Sequence, residues 1–366
     1  MRIALACVLM SLLLSGDEQT CGWHQHDPRW QARAPPWFRA IILGPAQTIS
    51  LYSPASFMTS RRHASPVFRP ASPATARLCA HLAALLFGLS AIFGALIHAD
   101  AVTITFGRAL FACLALAAFA CWRGHGLHQR MPPRQFALLM VTGILLALHW
   151  ITFFISVKTG GVAMATLGFA SFPAFIALLD RWLFRERIGR SESLLLVLVS
   201  AGLVLVTPAF QASDQGTIGL LWGVASGFSF ALLAAANRRA VHGLPAIQVA
   251  FWQNTTVALV LTPFASWGLM RMDGLDWLKL ALLGILCTGL AHGLFVASLR
   301  GLSARGSGMI IALEPVYAIA GAWWLFGAQP TGRMLAGAAL IVCAIVLAAR
   351  NKAAAPAETA EPPPAP

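Results

Sequence analysis

Two ionisable residues stand inside apolar stretches, where a charge needs a reason to be. Glu314 lies within Ala304–Phe326, ARGSGMIIALEPVYAIAGAWWLF, a run long enough to cross a bilayer. A charge at bilayer depth costs about 2.5–3.5 kcal/mol, so it persists where it faces protein or water. Pro315 follows it and has no N–H, which frees a carbonyl one turn back and predicts a kink beside the acid. Arg108 lies in TITFGRALFACLALAAF, about seven residues into its run, or about 10 Å below the surface at the helical rise. An arginine at that depth snorkels, pairs with an acid or holds an anionic solute group. Glu314 enters from the opposite side to a similar depth, so a contact between the two is open.

Other polar residues sit in similar runs. His149, in LLALHWITFF beside Trp150, has a side chain that can exchange a proton near neutral pH. His292 shares that property. Trp252, Gln253 and Asn254 form an aromatic–amide cluster, and amides at membrane depth need partners. Tyr317, three positions after Glu314, shares its helix face. Each has a plain alternative as hydrogen-bonding glue between helices. Arg108, His149, Trp252, Gln253, Asn254, Glu314 and Tyr317 are the candidate solute-binding residues.

The elements that must position them follow from composition. The 366 residues are 58% hydrophobic and 11% charged, less than half the charge of a soluble domain. Mean hydropathy is +0.72. Repeated apolar runs predict an all-α membrane protein, and no ten-residue alternating segments suggest a barrel. Ten transmembrane helices are expected, near 78–97, 102–122, 135–156, 161–180, 191–208, 216–236, 246–268, 275–297, 304–326 and 332–350. Residues 1–77 read as a disordered N-terminal extension. Its apolar start, Ile3–Leu14, is signal-like, but a translation start at Met58 accounts better for the arginines that follow. Residues 351–366 read as a disordered tail.

The net charge of +13 does not indicate nucleic acid, because the arginines cluster between apolar runs. Seventeen Lys and Arg fall on one side of the ten-crossing topology and four, Lys158, Arg271, Lys279 and Arg333, on the other. That places both termini in the cytoplasm. The seven cysteines include no C-x-x-C pair, so neither a disulfide framework nor a zinc site is indicated. No phosphate loop, H-E-x-x-H or nucleophile elbow is present, so no cofactor and no enzymatic role are expected. Gly219, Gly223 and Gly227 repeat every four residues and predict a close helix approach or a sliding surface.

The two halves resemble each other. Gly143-Ile144-Leu145 matches Gly284-Ile285-Leu286, Pro173 matches Pro315, and Trp182-Leu183-Phe184 matches Trp324-Leu325-Phe326. Self-similarity at this scale marks a duplicated unit, here 78–208 and 216–350. An odd number of helices per unit turns the second copy over, giving two inverted five-helix repeats.

Thr166–Ile188, TLGFASFPAFIALLDRWLFRERI, and Leu313–Gly327, LEPVYAIAGAWWLFG, resemble the fourth and ninth helices of EamA-domain transporters in the drug/metabolite transporter superfamily. His149–Phe154 and Arg108 are similar as well, and the resemblance spans roughly 78–350. One position departs: Ala328 stands where the family often has Glu, which the first half keeps as Glu186. The resemblance implies a secondary transporter in the cytoplasmic membrane, moving a metabolite, amino acid or drug-like solute by alternating access, often outward. Protons are a candidate coupling ion and a homodimer a candidate assembly. The rivals are a membrane-embedded sensor or assembly subunit without transport activity, and an intramembrane enzyme, which lacks paired acids.

Overall fold

The computed structural model describes residues 72–123, 126–127, 131–183, 189–207, 213–241, 243–298, 301–302, 307, 310–311 and 313–351. The expected start at Met58, the extension as far as residue 71 and the tail after Asn351 lie outside them. Among the described residues every regular element is a helix. They are α1 (Pro73–Leu96), α2 (Ala101–Arg123), α3 (Pro133–Phe169), α4 (Phe172–Leu183), α5 (Arg190–Val206), α6 (Gln215–Ala240), α7 (Ala246–Leu269), α8 (Gly274–Gly284), a π turn (Ile285–Leu290), α9 (Ala291–Ser298), α10 (Glu314–Phe326) and α11 (Gly332–Asn351). Pro73–Leu96, Ala101–Trp122, Pro133–Phe169, Gln215–Asn237 and Gly274–Ser298 are each long and apolar enough to cross a membrane.

Local chemistry sets several starts. Ser72 accepts the Thr75 N–H at 3.2 Å, with a proline in the first turn, so α1 begins at Pro73, inside the stretch expected to be extension. Asp214 caps α6 through Thr217, and Asp273 caps α8 through Asp276, each at 2.7 Å. Asp100 accepts the N–H groups of Val102 and Thr103 at 2.9 and 3.0 Å and the Thr103 hydroxyl at 2.6 Å. Burial raises the Asp100 pKa, but these bonds to its carboxylate outweigh it and hold the value below normal.

The third and fourth expected helices meet at Gly161 with no loop between them. Its φ of 82° and ψ of 175° are non-helical, and the chain doubles back there: the Phe169 ring lies 5.0 Å from His149, where twenty residues of straight helix would part them by about 30 Å. The fourth is interrupted in turn at Ala170–Ser171, where α4 starts afresh with Pro173 in its first turn. The ninth helix is interrupted in the same way. Leu313 lies in a turn and α10 opens at Glu314, so the acid occupies a helix start rather than a mid-helix position. The reason is common to both: proline fits a first turn, where its missing N–H leaves no hydrogen bond unmade. Pro173 and Pro315, matched in sequence, begin matched helices.

Packing follows the same correspondence. α3 and α6 run along each other, as do α1 and the segment from the π turn into α9. α4 packs on α6, and α10 on α1. α2 pairs with α7, and α5 with α11. Small residues allow the closest approaches. A side chain at Gly223 would meet the Ala165 carbonyl at 3.0 Å, and one at Gly202 the Gly337 carbonyl at 2.9 Å. One core cluster of Met164, Leu167, Val206, Leu220, Ile319 and Ile341 joins α3, α5, α6, α10 and α11.

Candidate functional site

Arg108 is positioned by two glycines. Gly107 faces Leu280, and a Cβ at Gly284 would lie 2.7 Å from the Arg108 carbonyl, so α2 and α8 nearly touch there. The Arg108 side chain is 4% exposed. Its Nε donates to Thr288 Oγ1 at 2.7 Å, and its guanidinium lies 4.0 Å over the Trp150 ring and 5.9 Å from Phe154. A cation over an aromatic face keeps part of its solvation lost to burial.

Glu314, half-buried at the start of α10, lies within electrostatic reach of Arg108. The α1 backbone approaches here, because a Cβ at Gly88 would be 3.0 Å from the Glu314 carbonyl. Among the described residues no salt bridge joins Arg108 to Glu314, and the Glu314 carboxylate receives no hydrogen bond. Two opposite charges thus share one region without closing on each other.

His149 and His292 both lie within electrostatic reach of Arg108. His149 is 7% exposed, packed against Phe169 and Phe230 at ring distances of 5.0 and 5.1 Å. Its Nδ1 faces Ser226 Oγ at 2.8 Å and the Ser226 carbonyl at 3.2 Å, and the carbonyl can only accept, which favours Nδ1–H. His292 is exposed, with its ring edge-on to Phe87 at 5.3 Å and Nδ1 2.8 Å from the Thr288 carbonyl. Tyr317 meets His81 of α1, with the hydroxyl 2.9 Å from Nδ1.

The remaining candidates sit elsewhere. Gln253 donates to Thr142 Oγ1 at 2.8 Å and Asn237 Oδ1 at 2.9 Å, joining α7, α3 and α6. Thr142 precedes Trp150 on α3 by about 12 Å along the axis at 1.5 Å per residue. Trp252 donates to the Leu127 carbonyl at 3.1 Å and packs on Phe136, near a helix end. Asn254 Nδ2 bonds the Ala250 carbonyl at 2.8 Å, while its Oδ1 is buried without a partner among the described residues. The aromatic–amide group therefore forms a second polar level apart from Arg108.

Burial around the cluster differs between its two ends. Toward the Asp100 end of the bundle, Ile104, Phe154, Leu280 and Leu283 are fully buried. Beyond them Lys158 donates to the Ile97 carbonyl at 2.5 Å and Lys279 to the Leu96 carbonyl at 3.1 Å and to Asp276 at 2.9 Å. Toward the Ser72 end, Glu314 and Tyr317 are half-buried and His292 is exposed.

The sequence reading passed over Thr288 and Asp276. A threonine in an apolar run carries no signal of its own, and Asp276 lies three residues from Lys279 in what reads as a helix end.

The EamA-like transporter family model matches residues 75–207 and again 217–350. The chain belongs to the EamA-like transporter family. The two matches are successive copies of one unit, and the Arg108–Glu314 region draws one residue from each. An uncharacterized transporter of Archaeoglobus fulgidus is 26% identical over 270 residues, which cover 74% of this chain and 94% of that protein. An uncharacterized transporter of Bacillus subtilis, YxxF, is 23% identical over 241 residues, 64% of this chain and 76% of the other. One crystal structure shares the fold, with a TM-score of 0.56 at 23% identity over 76% of this chain and 99% of its own. As an EamA-like protein, the chain is a multi-pass membrane transporter.

Proposed function

We propose that this EamA-like protein is a secondary carrier of a small solute. In this reading ten crossings form two oppositely inserted five-helix repeats in the cytoplasmic membrane, with both termini in the cytoplasm. The solute binds between Arg108 and Glu314, and the two repeats rock to expose it to either side. The paired arrangement of the two copies fits the packing, in which α1 lies on α9 and α10 as α6 lies on α3 and α4. Alternation also fits the uneven burial around Arg108: Ile104, Phe154, Leu280 and Leu283 are fully buried toward the Asp100 end, while Glu314 and Tyr317 are half-buried toward the other.

The observation that carries the reading is the unclosed charge pair. A structural arginine and glutamate at this depth would close into a salt bridge, since an uncompensated buried charge costs several kcal/mol. Here they stay apart, so a solute offering an anionic and a cationic group satisfies both. Glu314 is also the group we assign to proton coupling, because a proton and a solute cation would compete for its carboxylate. The direction we propose is outward, on the strength of the family resemblance.

The test begins with a thermal-shift screen of the purified protein against amino acids, nucleosides and cationic drugs. The solute that stabilises it is then followed into liposomes. We expect flux without nucleotide hydrolysis, abolished by Arg108→Met and stripped of its pH dependence by Glu314→Gln. Flux indifferent to both substitutions would remove the pair from the mechanism.

A further inference from the structure

The helix facing Arg108 changes form as it passes. α8 ends at Gly284, and Ile285–Leu290 make a π turn before α9 resumes. A π turn adds one residue to the ladder and turns everything after it by about 100° relative to an uninterrupted α-helix. It also loosens the carbonyl bonds within the turn. Thr288, 1% exposed, answers both consequences. Its hydroxyl donates to the Leu283 carbonyl five residues back, at 3.2 Å. With its single proton so committed, the oxygen is left as an acceptor aimed at Arg108 Nε, 2.7 Å away.

That contact uses one of the five N–H donors of a guanidinium. The face of the group is occupied by Trp150. The other four donors, on Nη1 and Nη2, meet no protein acceptor among the described residues. A purely structural arginine would spend those donors on carbonyls. Here the Nε side is held and the Nη edge is left free.

We propose that Thr288 is a positioning residue. The π turn carries it to Arg108, where it fixes the guanidinium by Nε against Trp150 and points the paired Nη donors at the anionic group of the solute. This rests on the reading of Arg108 as a solute contact. It goes further in naming the residue that orients it and the bidentate geometry it offers, which suits a carboxylate.

The full-length protein in detergent, labelled with 15N-arginine, tests this through the Nε–H resonance that disappears in Arg108→Lys. In the wild type that proton should exchange slowly with solvent. Thr288→Val should abolish the protection and Thr288→Ser should keep it. Acetate, as the carboxylate probe, should shift the resonance in the wild type and in Thr288→Ser. Its affinity should fall by about tenfold in Thr288→Val, the effect of losing one charge-assisted hydrogen bond. An unprotected wild-type Nε–H, or protection unchanged in Thr288→Val, overturns the proposal. So does an acetate affinity that Thr288→Val leaves untouched, since the bond would then be structural only. Protection that follows the expected pattern with no acetate response at Arg108 also overturns it, and points to the solute reading of Arg108 as the part that failed.

Discussion

Arg108 shows how a buried cation is tolerated without a salt bridge. Its Nε is bonded to Thr288 and its face lies against Trp150, while Glu314 stands within electrostatic reach and makes no salt bridge to it. That both charges lie inside apolar runs was legible in the sequence. Their relation was not, because it depends on which helices cross at Gly107 and Gly284. The amide group is the converse case. Gln253 looks like a solute contact in one dimension, yet Thr142 and Asn237 satisfy it in three. Gln253→Ala is therefore expected to destabilise the fold by about 1–3 kcal/mol, leaving Asn237 and Thr142 short of a donor. A melting-temperature comparison with and without solute checks this: the solute-induced shift should survive. Loss of that shift would return Gln253 to the binding site.

At the scale of elements, glycine spacing and proline placement account for most of the architecture. The four-residue stripe of Gly219, Gly223 and Gly227 was readable as a close helix contact, and α6 does lie on Gly160, Gly168 and Ser171. Gly223→Leu should cost about 1–3 kcal/mol or more, the usual penalty for overpacking, and show as a lower melting temperature. Gly332→Ala, where a Cβ meets nothing within 4 Å, is the matched control and should leave the melting temperature unchanged. Asp100→Ala should cost about 1 kcal/mol by uncapping α2. Because the folded Asp100 pKa is lowered, its contribution is present above the unfolded value and is lost as pH falls through the folded one. A chemical-denaturation series at neutral and acid pH should show the Asp100→Ala deficit shrinking on the acid side.

For the whole molecule, the two matched family copies exchange partners: the first helix of each packs on the third and fourth of the other. Such cross-packing makes the centre an interface between the two family copies. The Lys158, Lys279 and Asp276 contacts close one end over Phe154 and Leu280. In a background freed of other cysteines, His292→Cys should react with a membrane-impermeant maleimide from one face only, and Phe154→Cys from neither. Equal labelling of residue 292 from both faces would contradict a one-sided opening. Reporter fusions at residue 72 and after Asn351 should both read cytoplasmic.

Composition alone made this a bundle of membrane helices, since a chain with 11% charged residues cannot clothe a water-soluble surface. Local pattern placed the helices, the duplication and the two deep charges, because periodicity and proline act within a turn or two of chain. Three things waited for the folded chain: the restart of helices at Phe172 and Glu314, the π turn that carries Thr288 to Arg108, and the parting of Gln253 from that cluster. Each depends on the rotation and crossing of helices far apart in sequence. Rotation is set by how side chains pack across an interface, and no single stretch contains both sides of one.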